Sequence, residues 1–307
     1  MDPAMLFQLS NVTKTYGRVI ALDSLSVEVP EGAVGLLGPN GSGKTTMIRT
    51  LLGLIDIDRG EGRILNMNIR REQLQIRRSI GFAPEDECLF PQVAGVDFVA
   101  YAGELVGMAR KDALQRSHEV LDYVGLGEAR YRKVETYSTG MKQRLKLASA
   151  IVHDPKLIIL DEPTNGMDPA GRDEVLQLAR DLAHNKGMSL LFSSHLLPDV
   201  DSVCDHVMVM GAGRLLAQGK IDEMKGLQQL LYDVKLKADP ELFCARLTAA
   251  GCQADLRDDE LIVVKVPEGR DHTLLWEIAR AEKLQIRHLR PRRSTLEEVF
   301  LKAVGPR

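Results

Sequence analysis

The chain has 307 residues, 44% of them hydrophobic and 27% charged, as in a folded globular protein with room for one large domain and a smaller one. The net charge of -3 and the single Trp disfavour a general nucleic-acid-binding protein, which would carry a basic patch or aromatic residues that stack on bases. The four cysteines form no Cys-x-x-Cys pair, and no apolar run reaches the roughly 18 residues of a membrane span, so the sequence predicts reduced thiols, no zinc site and no spanning helix.

The first part of the chain predicts short strands joined by turns, with a helix after a glycine-rich loop. The predicted strands are residues 6–13, 21–29, 33–37, 63–66 and 80–83. The predicted turns are residues 16–17, 30–32 and 58–62. A helix is predicted for residues 45–54, and residues 73–79 are predicted to form a polar helix or a loop.

The glycine-rich loop comprises Gly38, Pro39, Asn40, Gly41, Ser42, Gly43, Lys44, Thr45 and Thr46. It fits the pattern G-x-x-x-x-G-K-[ST] of a phosphate-binding loop, in which glycines let the backbone wrap a phosphate chain with its N–H groups pointing inward. Lys44 adds a positive charge for the outer phosphates, and the Thr45 hydroxyl is placed to ligate Mg²⁺. A chance glycine-rich turn is the alternative, which the strand before the loop and the helix after it disfavour. The pattern predicts nucleotide binding but no particular function.

The middle of the chain predicts a helical insertion followed by further β-α-β units. Helical apolar spacing runs from residue 96 to about 150. A wholly apolar run at 157–160 is typical of a parallel strand that is buried on both faces. The elements predicted after it are a helix at 172–186 and strands at 189–193, 207–210 and 214–217. This order predicts an α/β domain with a helical insertion.

Two carboxylates, Asp161 and Glu162, follow the apolar strand. A carboxylate at the end of a buried strand can hold Mg²⁺, directly or through water, opposite Thr45. A second carboxylate beside it can accept a proton from an attacking water. Such acidic pairs are usually just solvated, but a position after an apolar strand and downstream of a phosphate loop favours the chemical interpretation.

A second candidate anion site lies at residues 137–144, Tyr-Ser-Thr-Gly-Met-Lys-Gln-Arg. Ser138 and Gly140 are expected to open a helix at 141–151 with free N–H groups and a hydroxyl, and a helix N-terminus attracts anions. On this segment alone, an ordinary helix cap is the preferred interpretation.

After residue 225 the order of predicted elements becomes β-α-β-β-α-β, which predicts a ferredoxin-like unit. The predicted strands are 232–237, 253–256, 261–266 and 284–289, with helices at 240–250 and 271–283 and a turn at 258–259. Ser-Thr-Leu-Glu at 294–297 is a capping box that predicts a final helix to about residue 304.

Four of these signals occur in the order found in the ATPases of ABC transporters, and the chain resembles that family over about residues 5–220. The signals are the phosphate loop, Tyr-Ser-Thr-Gly-Met at 137–141, Leu-Ile-Ile-Leu-Asp-Glu-Pro-Thr at 157–164 and Ser-Ser-His at 193–195. The second resembles the family's Leu-Ser-Gly-Gly-Gln signature, from which Tyr137, Thr139 and Met141 depart. The resemblance implies an α/β P-loop NTPase fold with a RecA-like core, an antiparallel β subdomain and a helical subdomain.

The resemblance also divides the chain. It implies an ATPase domain at 5–224, with the helical subdomain at about 86–155. The remaining residues, 225–307, form a small α+β ferredoxin-like C-terminal accessory domain. That accessory domain is either an appendage that stabilises a dimer or a module for regulation or partner docking, and its composition does not separate the two.

In the family that this chain resembles, two ATPase domains pack head to tail. ATP is held between the phosphate loop of one domain and the signature of the other. The resemblance therefore implies that the Ser138 hydroxyl and the Gly140 N–H meet the γ-phosphate. It also implies that Glu162 is the catalytic base and that His195 orients the γ-phosphate and the water.

Further roles follow from the same resemblance. Tyr16 is implied to stack on adenine, Asp161 to support Mg²⁺, and the loop 165–168 to cross between the two sites. After the strand 80–83 the family carries a glutamine that touches Mg²⁺ and signals to the membrane partner. Here that position is Glu85, whose carboxylate is expected to reach the metal or its water while adding a negative charge.

Residues 213–219 and 296–301 resemble a sub-branch that serves exporters with a separate membrane subunit, often for drugs, lipids or polysaccharides. The implied protein is an ATP-hydrolysing subunit with ATP and Mg²⁺ as cofactors, bound to a permease at the cytoplasmic face of the membrane. Its expected partners are that permease and a second ATPase copy, identical or different, and no nucleic acid. An ABC-type ATPase that acts on ribosomes or nucleic acid is the alternative. A cassette without turnover is a third possibility, against which Glu162 and His195 argue.

Overall fold

The computed structural model of the chain describes residues 5–226, 231–257, 260–267 and 269–291. The chain divides into two units, one ending at Ile221 and the other beginning at Asp222. No helix in the described ranges has both the length and the apolar character that a bilayer span requires.

The strands of the first unit are β1 (Met5–Tyr16), β2 (Val19–Pro30), β3 (Ala33–Leu37), β4 (Arg59–Ile64), β5 (Met67–Asn68), β6 (Ile80–Ala83), β7 (Leu157–Asp161), β8 (Ser189–Ser194), β9 (His206–Gly211) and β10 (Arg214–Lys220). Its helices are α1 (Lys44–Leu51), α2 (Gln73–Ser79), α3 (Gly95–Leu105), α4 (Arg110–Tyr123), α5 (Thr139–Ile151), α6 (Pro169–His184) and α7 (Leu197–Val203). A further helix, α8 (Ile221–Gly226), begins at the last residue of this unit. Two short 3₁₀ helices, Gly127–Tyr131 and Val134–Thr136, lie between α4 and α5.

A six-stranded sheet carries the candidate site. Its strand order is β10-β9-β3-β8-β7-β6, in which the strands from β9 to β6 are parallel and β10 is antiparallel to β9. Both β3 and β7 are buried at every residue, as their apolar sequences predict. Because parallel strands end at the same edge of a sheet, the loops that follow β3, β8 and β7 meet there.

A second sheet is antiparallel, in the order β2-β1-β4-β5. Residues 58–62 were predicted to be a turn, which is wrong, because β4 begins within them. Their glycines let β4 approach β1 closely instead. A Cβ on Gly60 would lie 2.4 Å from the main-chain oxygen of Asn11, and one on Gly62 would lie 2.6 Å from Leu9 Cδ2.

Two further differences from the sequence-based prediction have local causes. The predicted strand 63–66 runs too far, because Leu65 and Asn66 adopt φ angles of 50° and 64° and form the turn that leads into β5. Helix α7 was not predicted at all. It has seven residues, too few to display helical periodicity, although Val200 and Val203 are buried.

The second unit contains β11 (Leu231–Leu236), α9 (Pro240–Ala249), β12 (Gln253–Leu256), β13 (Ile262–Lys265), α10 (Thr273–Ala281) and β14 (Ile286–Pro291). Its strand order is β12-β13-β11-β14, antiparallel throughout, which confirms the predicted ferredoxin-like fold. Side chains of the sheet and of both helices form its core, among them Val234, Phe243, Leu247, Ile262, Val264 and Leu275. The predicted turn at 258–259 and the predicted helix from 294 lie outside the described residues.

Candidate functional site

The loop between β3 and α1 requires glycine at three positions. Gly41 and Gly43 have φ angles of +78° and +103°, which residues with a side chain rarely adopt. A Cβ on Gly38 would lie 2.4 Å from Ser42 Oγ and 2.6 Å from the main-chain oxygen of Met210. Gly43 is also the N-cap of α1, so the free N–H groups of that helix open onto the loop. The loop is therefore preformed as an anion-binding turn.

Lys44 is held at the back of this loop. Its Nζ donates a hydrogen bond to the Gly38 main-chain oxygen at 2.8 Å and lies 3.7 Å from Glu162 Oε1. Both side chains of this ion pair are only 7% exposed. The ammonium is thus fixed in place, with one carboxylate oxygen as its counter-charge. Of the other loop residues, Asn40 and Gly41 are exposed, and Pro39, Thr45 and Thr46 are half-buried.

Glu162 and His195 come from the ends of neighbouring strands. Glu162 follows β7 with φ at +49°, and its N–H donates to the main-chain oxygen of Ser193 in β8 at 3.0 Å. His195 Nδ1 lies 2.8 Å from Glu162 Oε2, and the His195 N–H donates to the same oxygen at 3.3 Å. The structure therefore brings the two predicted catalytic residues into direct contact and places both near Lys44.

Asp161 and Thr45 form an oxygen cluster beside them. Thr45 Oγ1 donates to Asp161 Oδ2 at 3.4 Å. Burial raises the pKa of Asp161 above its usual range, and the negative charges of Glu162 and Glu85 act in the same direction. Within the described ranges, neither Asp161 Oδ1 nor the buried Ser42 hydroxyl has a hydrogen-bond partner.

These atoms fit a bound cation. Carboxylate and hydroxyl oxygens are the ligands that Mg²⁺ prefers, and a buried oxygen without a partner is costly until something binds it. A cation there would also relieve the unfavourable charge that raises the pKa of Asp161.

Glu85 has a different neighbour in this structure. Its Oε1 accepts a hydrogen bond from Asn165 Nδ2 at 3.1 Å. The main-chain oxygen of Glu85 accepts a hydrogen bond at 3.2 Å from Nζ of Lys146, a residue of α5. The Glu85 carboxylate is near enough to Asp161 to raise the pKa of Asp161. The hydrogen-bond partner of Glu85, however, is Asn165 in the loop after β7.

Ser138 is the N-cap of α5, as predicted, and its Oγ accepts a hydrogen bond from the Met141 N–H at 3.3 Å. Tyr137, a departure from the family signature, is buried, and its hydroxyl donates to the main-chain oxygen of Ala129. No hydrogen bond or ion pair among the described residues joins Ser138 to the phosphate loop. A Cβ on Gly140 would lie 3.4 Å from Met167 Cε, in the loop that follows Glu162.

Tyr16 ends β1, opposite Val19 of β2, and is 47% exposed. Lys14 Nζ lies 5.3 Å from the centroid of its ring. Further along β2, the Ala21 main-chain oxygen lies 2.6 Å from where a Cβ on Gly43 would be. The hairpin that carries Tyr16 therefore adjoins the phosphate loop.

The sequence of the chain is similar to those of known proteins. The family model described as ABC transporter matches residues 22–165. The chain is 32% identical to the daunorubicin/doxorubicin resistance ATP-binding protein DrrA of Streptomyces peucetius, over 99% of this chain and 94% of that protein. It is 30% identical to the linearmycin resistance ATP-binding protein LnrL of Bacillus subtilis, over 98% of each.

The chain belongs to the ABC transporter ATPase family. Its fold is also similar to the dimeric structure of the ATP-binding cassette MJ0796 in a post-hydrolysis state with ADP and Pi, with 27% identity and a TM-score of 0.64 over 70% of this chain and 98% of that chain. The ATPase subunit binds and hydrolyses ATP for a membrane transporter, and subunits of this family work as dimers with transmembrane permease partners. Action on ribosomes or nucleic acid is not supported.

The sequence-based search missed two polar groups next to the site of this ATPase subunit. Asp199 of α7 is fully buried and accepts hydrogen bonds from Thr164 Oγ1 at 2.6 Å and Arg172 Nε at 2.7 Å. Lys146 of α5 is almost fully buried. An Asp and a Lys inside amphipathic helices give no sequence signal, because nothing in their spacing shows which face is covered.

Proposed function

We propose that this ATPase subunit powers export through a separate permease, at the cytoplasmic face of the membrane, by closing on a second ATPase copy when ATP binds and reopening after hydrolysis. One observation carries the proposal. Lys44, Glu162 and His195 converge at one edge of the sheet, whereas Ser138 caps α5 without a described contact to that edge. A site that needs both groups is completed only by another copy.

In this proposal the residues at the sheet edge divide the work. The loop N–H groups, Lys44 and the N-terminus of α1 bind the phosphates. One oxygen of Glu162 accepts the proton of the attacking water while His195 holds the other oxygen. Because Lys44 is the counter-ion of Glu162 before nucleotide binds, arrival of the phosphates transfers the ammonium to them and frees the carboxylate to act as a base.

Mg²⁺ would be held by Thr45 and Asp161, with Glu85 within reach through water. When bound, it supplies charge neutralisation for the terminal phosphates. Tyr16 would stack on the adenine, since its ring is exposed on the hairpin next to the loop.

The route to the permease starts next to the site. Phe90 packs edge-to-face against Phe98, with ring centroids 5.7 Å apart. The ring centroids of Phe90 and Tyr101 are 6.0 Å apart. Phe90, Tyr101 and Leu105 are nevertheless exposed. An exposed apolar patch that begins a few residues after Glu85 fits a permease segment. The drug-resistance names of the relatives DrrA and LnrL support export as the direction of transport.

The substitution Glu162→Gln tests this function. It preserves shape and nucleotide binding but removes the base, so we expect hydrolysis to fall at least about 100-fold. Size-exclusion chromatography of the full chain with ATP and Mg²⁺ is expected to show a stable dimer for this variant only. The exposed Glu61→Gln substitution in β4 is the matched control and is expected to behave as the unmodified chain. A Glu162→Gln variant that stays monomeric and hydrolyses ATP normally contradicts the proposal.

A further inference from the structure

The buried ammonium of Lys146 binds the main chain just before the helical insertion. Its Nζ donates to the main-chain oxygens of Pro84, Glu85 and Asp86 at 2.6, 3.2 and 3.4 Å. We call these three oxygens the carbonyl cluster. A lysine has three N–H donors and no acceptor, so the carbonyl cluster uses its full capacity.

Burying the Lys146 ammonium carries a cost in folding free energy. Lys146 is only 3% exposed, and a buried charge is strongly unfavourable without good partners. None of its three hydrogen-bond partners carries a formal charge. A methionine or leucine at this position would fill the space but leave these three oxygens without their donor, so packing alone does not explain a lysine here.

Helix α5 lies directly against the strand that leads into the carbonyl cluster. A Cβ on Gly81 of β6 would lie 2.0 Å from the main-chain oxygen of Ala150 in α5, so glycine is required for this approach. Lys142 of α5 also forms an ion pair with Glu87, next to the cluster. The helix that begins at Ser138 is thus tied to this segment at two points.

The same segment is bound to the loop after β7. Glu85 Oε1 accepts from Asn165 Nδ2 at 3.1 Å, and the Asn165 N–H donates to the main-chain oxygen of Glu162 at 3.2 Å. A chain of contacts therefore runs from Lys146 through the Glu85 backbone and side chain to Asn165 and Glu162. Fixing the main chain at one end of it restricts where the Glu85 carboxylate can go at the other.

We propose that Lys146 is a positioning residue for ATP hydrolysis, which holds the carbonyl cluster so that Glu85 engages Asn165 and keeps the backbone at Glu162 in place. The proposal rests on the function proposed above for Glu162. In this role Lys146 acts through the Glu85 main chain rather than on the reacting groups. Its effect is on the turnover step, because the phosphate loop, which binds ATP, has contacts of its own.

Steady-state ATPase kinetics of the full chain with Mg²⁺ test this role. Lys146→Met keeps the length of the side chain and removes the charge. We expect kcat to fall about tenfold, since small displacements near reacting groups are costly, while KM for ATP stays within about twofold. Asn165→Ala, at an exposed position, should give the same pattern. Combined, the two substitutions should lose no more than the worse single variant, because they interrupt one chain of contacts.

Lys111→Met, at an exposed position of α4, is the control, and its kcat should stay within about twofold of the unmodified chain because a surface substitution away from the site changes little. If Lys146→Met does not fold, as judged by circular dichroism, Lys146→Arg replaces it. Arginine keeps the charge, but its planar fork cannot converge on three carbonyls, so the same loss of kcat is expected.

A folded Lys146 variant with unchanged kcat, or losses that multiply in the double variant, overturns the proposal. Failure of the function itself would appear separately, as normal hydrolysis by Glu162→Gln.

Discussion

Asp199→Ala tests how the loop after β7 is held against the rest of the ATPase subunit. Asp199 is fully buried on α7, four residues after His195. Its Oδ2 accepts from Thr164 Oγ1, in the loop that follows Glu162, and its Oδ1 accepts from two nitrogens of Arg172 in α6. One carboxylate therefore joins the loop after β7 to two helices.

The expected loss of stability follows from what alanine leaves behind. The Thr164 hydroxyl and the Arg172 guanidinium both lose a charged partner, and removing one member of a buried ion pair costs about 3–5 kcal/mol. The Arg172 side chain is 32% exposed and regains water, so we expect the lower value, about 3 kcal/mol. For a unit of this size, that corresponds to a fall in Tm of about 6–12 °C.

Thermal denaturation followed by circular dichroism measures this shift. Asp205→Ala is the control, because Asp205 is exposed and lies 3.9 Å from His184, and its Tm should stay within about 2 °C. Arg172→Met should destabilise more than Asp199→Ala, since it leaves a fully buried carboxylate without its cation. Equal Tm values for Asp199→Ala and Asp205→Ala would refute the reasoning.

Two other substitutions have outcomes set by local geometry and charge. Gly38→Ala places a Cβ 2.4 Å from Ser42 Oγ, so we expect the free energy of unfolding, measured by urea denaturation, to fall by about 1–3 kcal/mol. We also expect weaker ATP binding by calorimetry. Unchanged binding would contradict a preformed loop. Burial lowers the pKa of His153 in the folded chain, so as the pH falls the unfolded chain is protonated at this residue before the folded chain is. The free energy of unfolding should therefore decrease as the pH falls below about 6.5, by at most about 1.4 kcal/mol per pH unit. Urea denaturation from pH 7.5 to 5.5 should show a shallower fall in His153→Gln, and identical slopes would show that another group titrates.

Local sequence patterns determined the parts of this protein that depend on neighbours in the chain. The phosphate loop, the apolar run 157–160 of β7 and the order of elements after residue 225 were predicted because glycine spacing, strand burial and turn residues act over a few positions. A carboxylate opposite Thr45 was predicted from its position at the end of an apolar strand, and Asp161 Oδ2 lies 3.4 Å from Thr45 Oγ1.

Only the tertiary structure decided contacts between segments that lie far apart in the chain. Gly60 and Gly62 were predicted to lie in a turn, because the close approach of β1 is not visible in the sequence. Gly81 was correctly predicted to lie in a strand, but the sequence did not show that α5 packs against it. The hydrogen bonds of Lys146 join residues that lie 60 to 62 positions apart in the chain, and those of Asp199 join residues 27 and 35 positions apart. Whether a charged side chain on a helix is solvated or buried against a partner depends on which face the rest of the fold covers, and that is a property of packing rather than of local sequence.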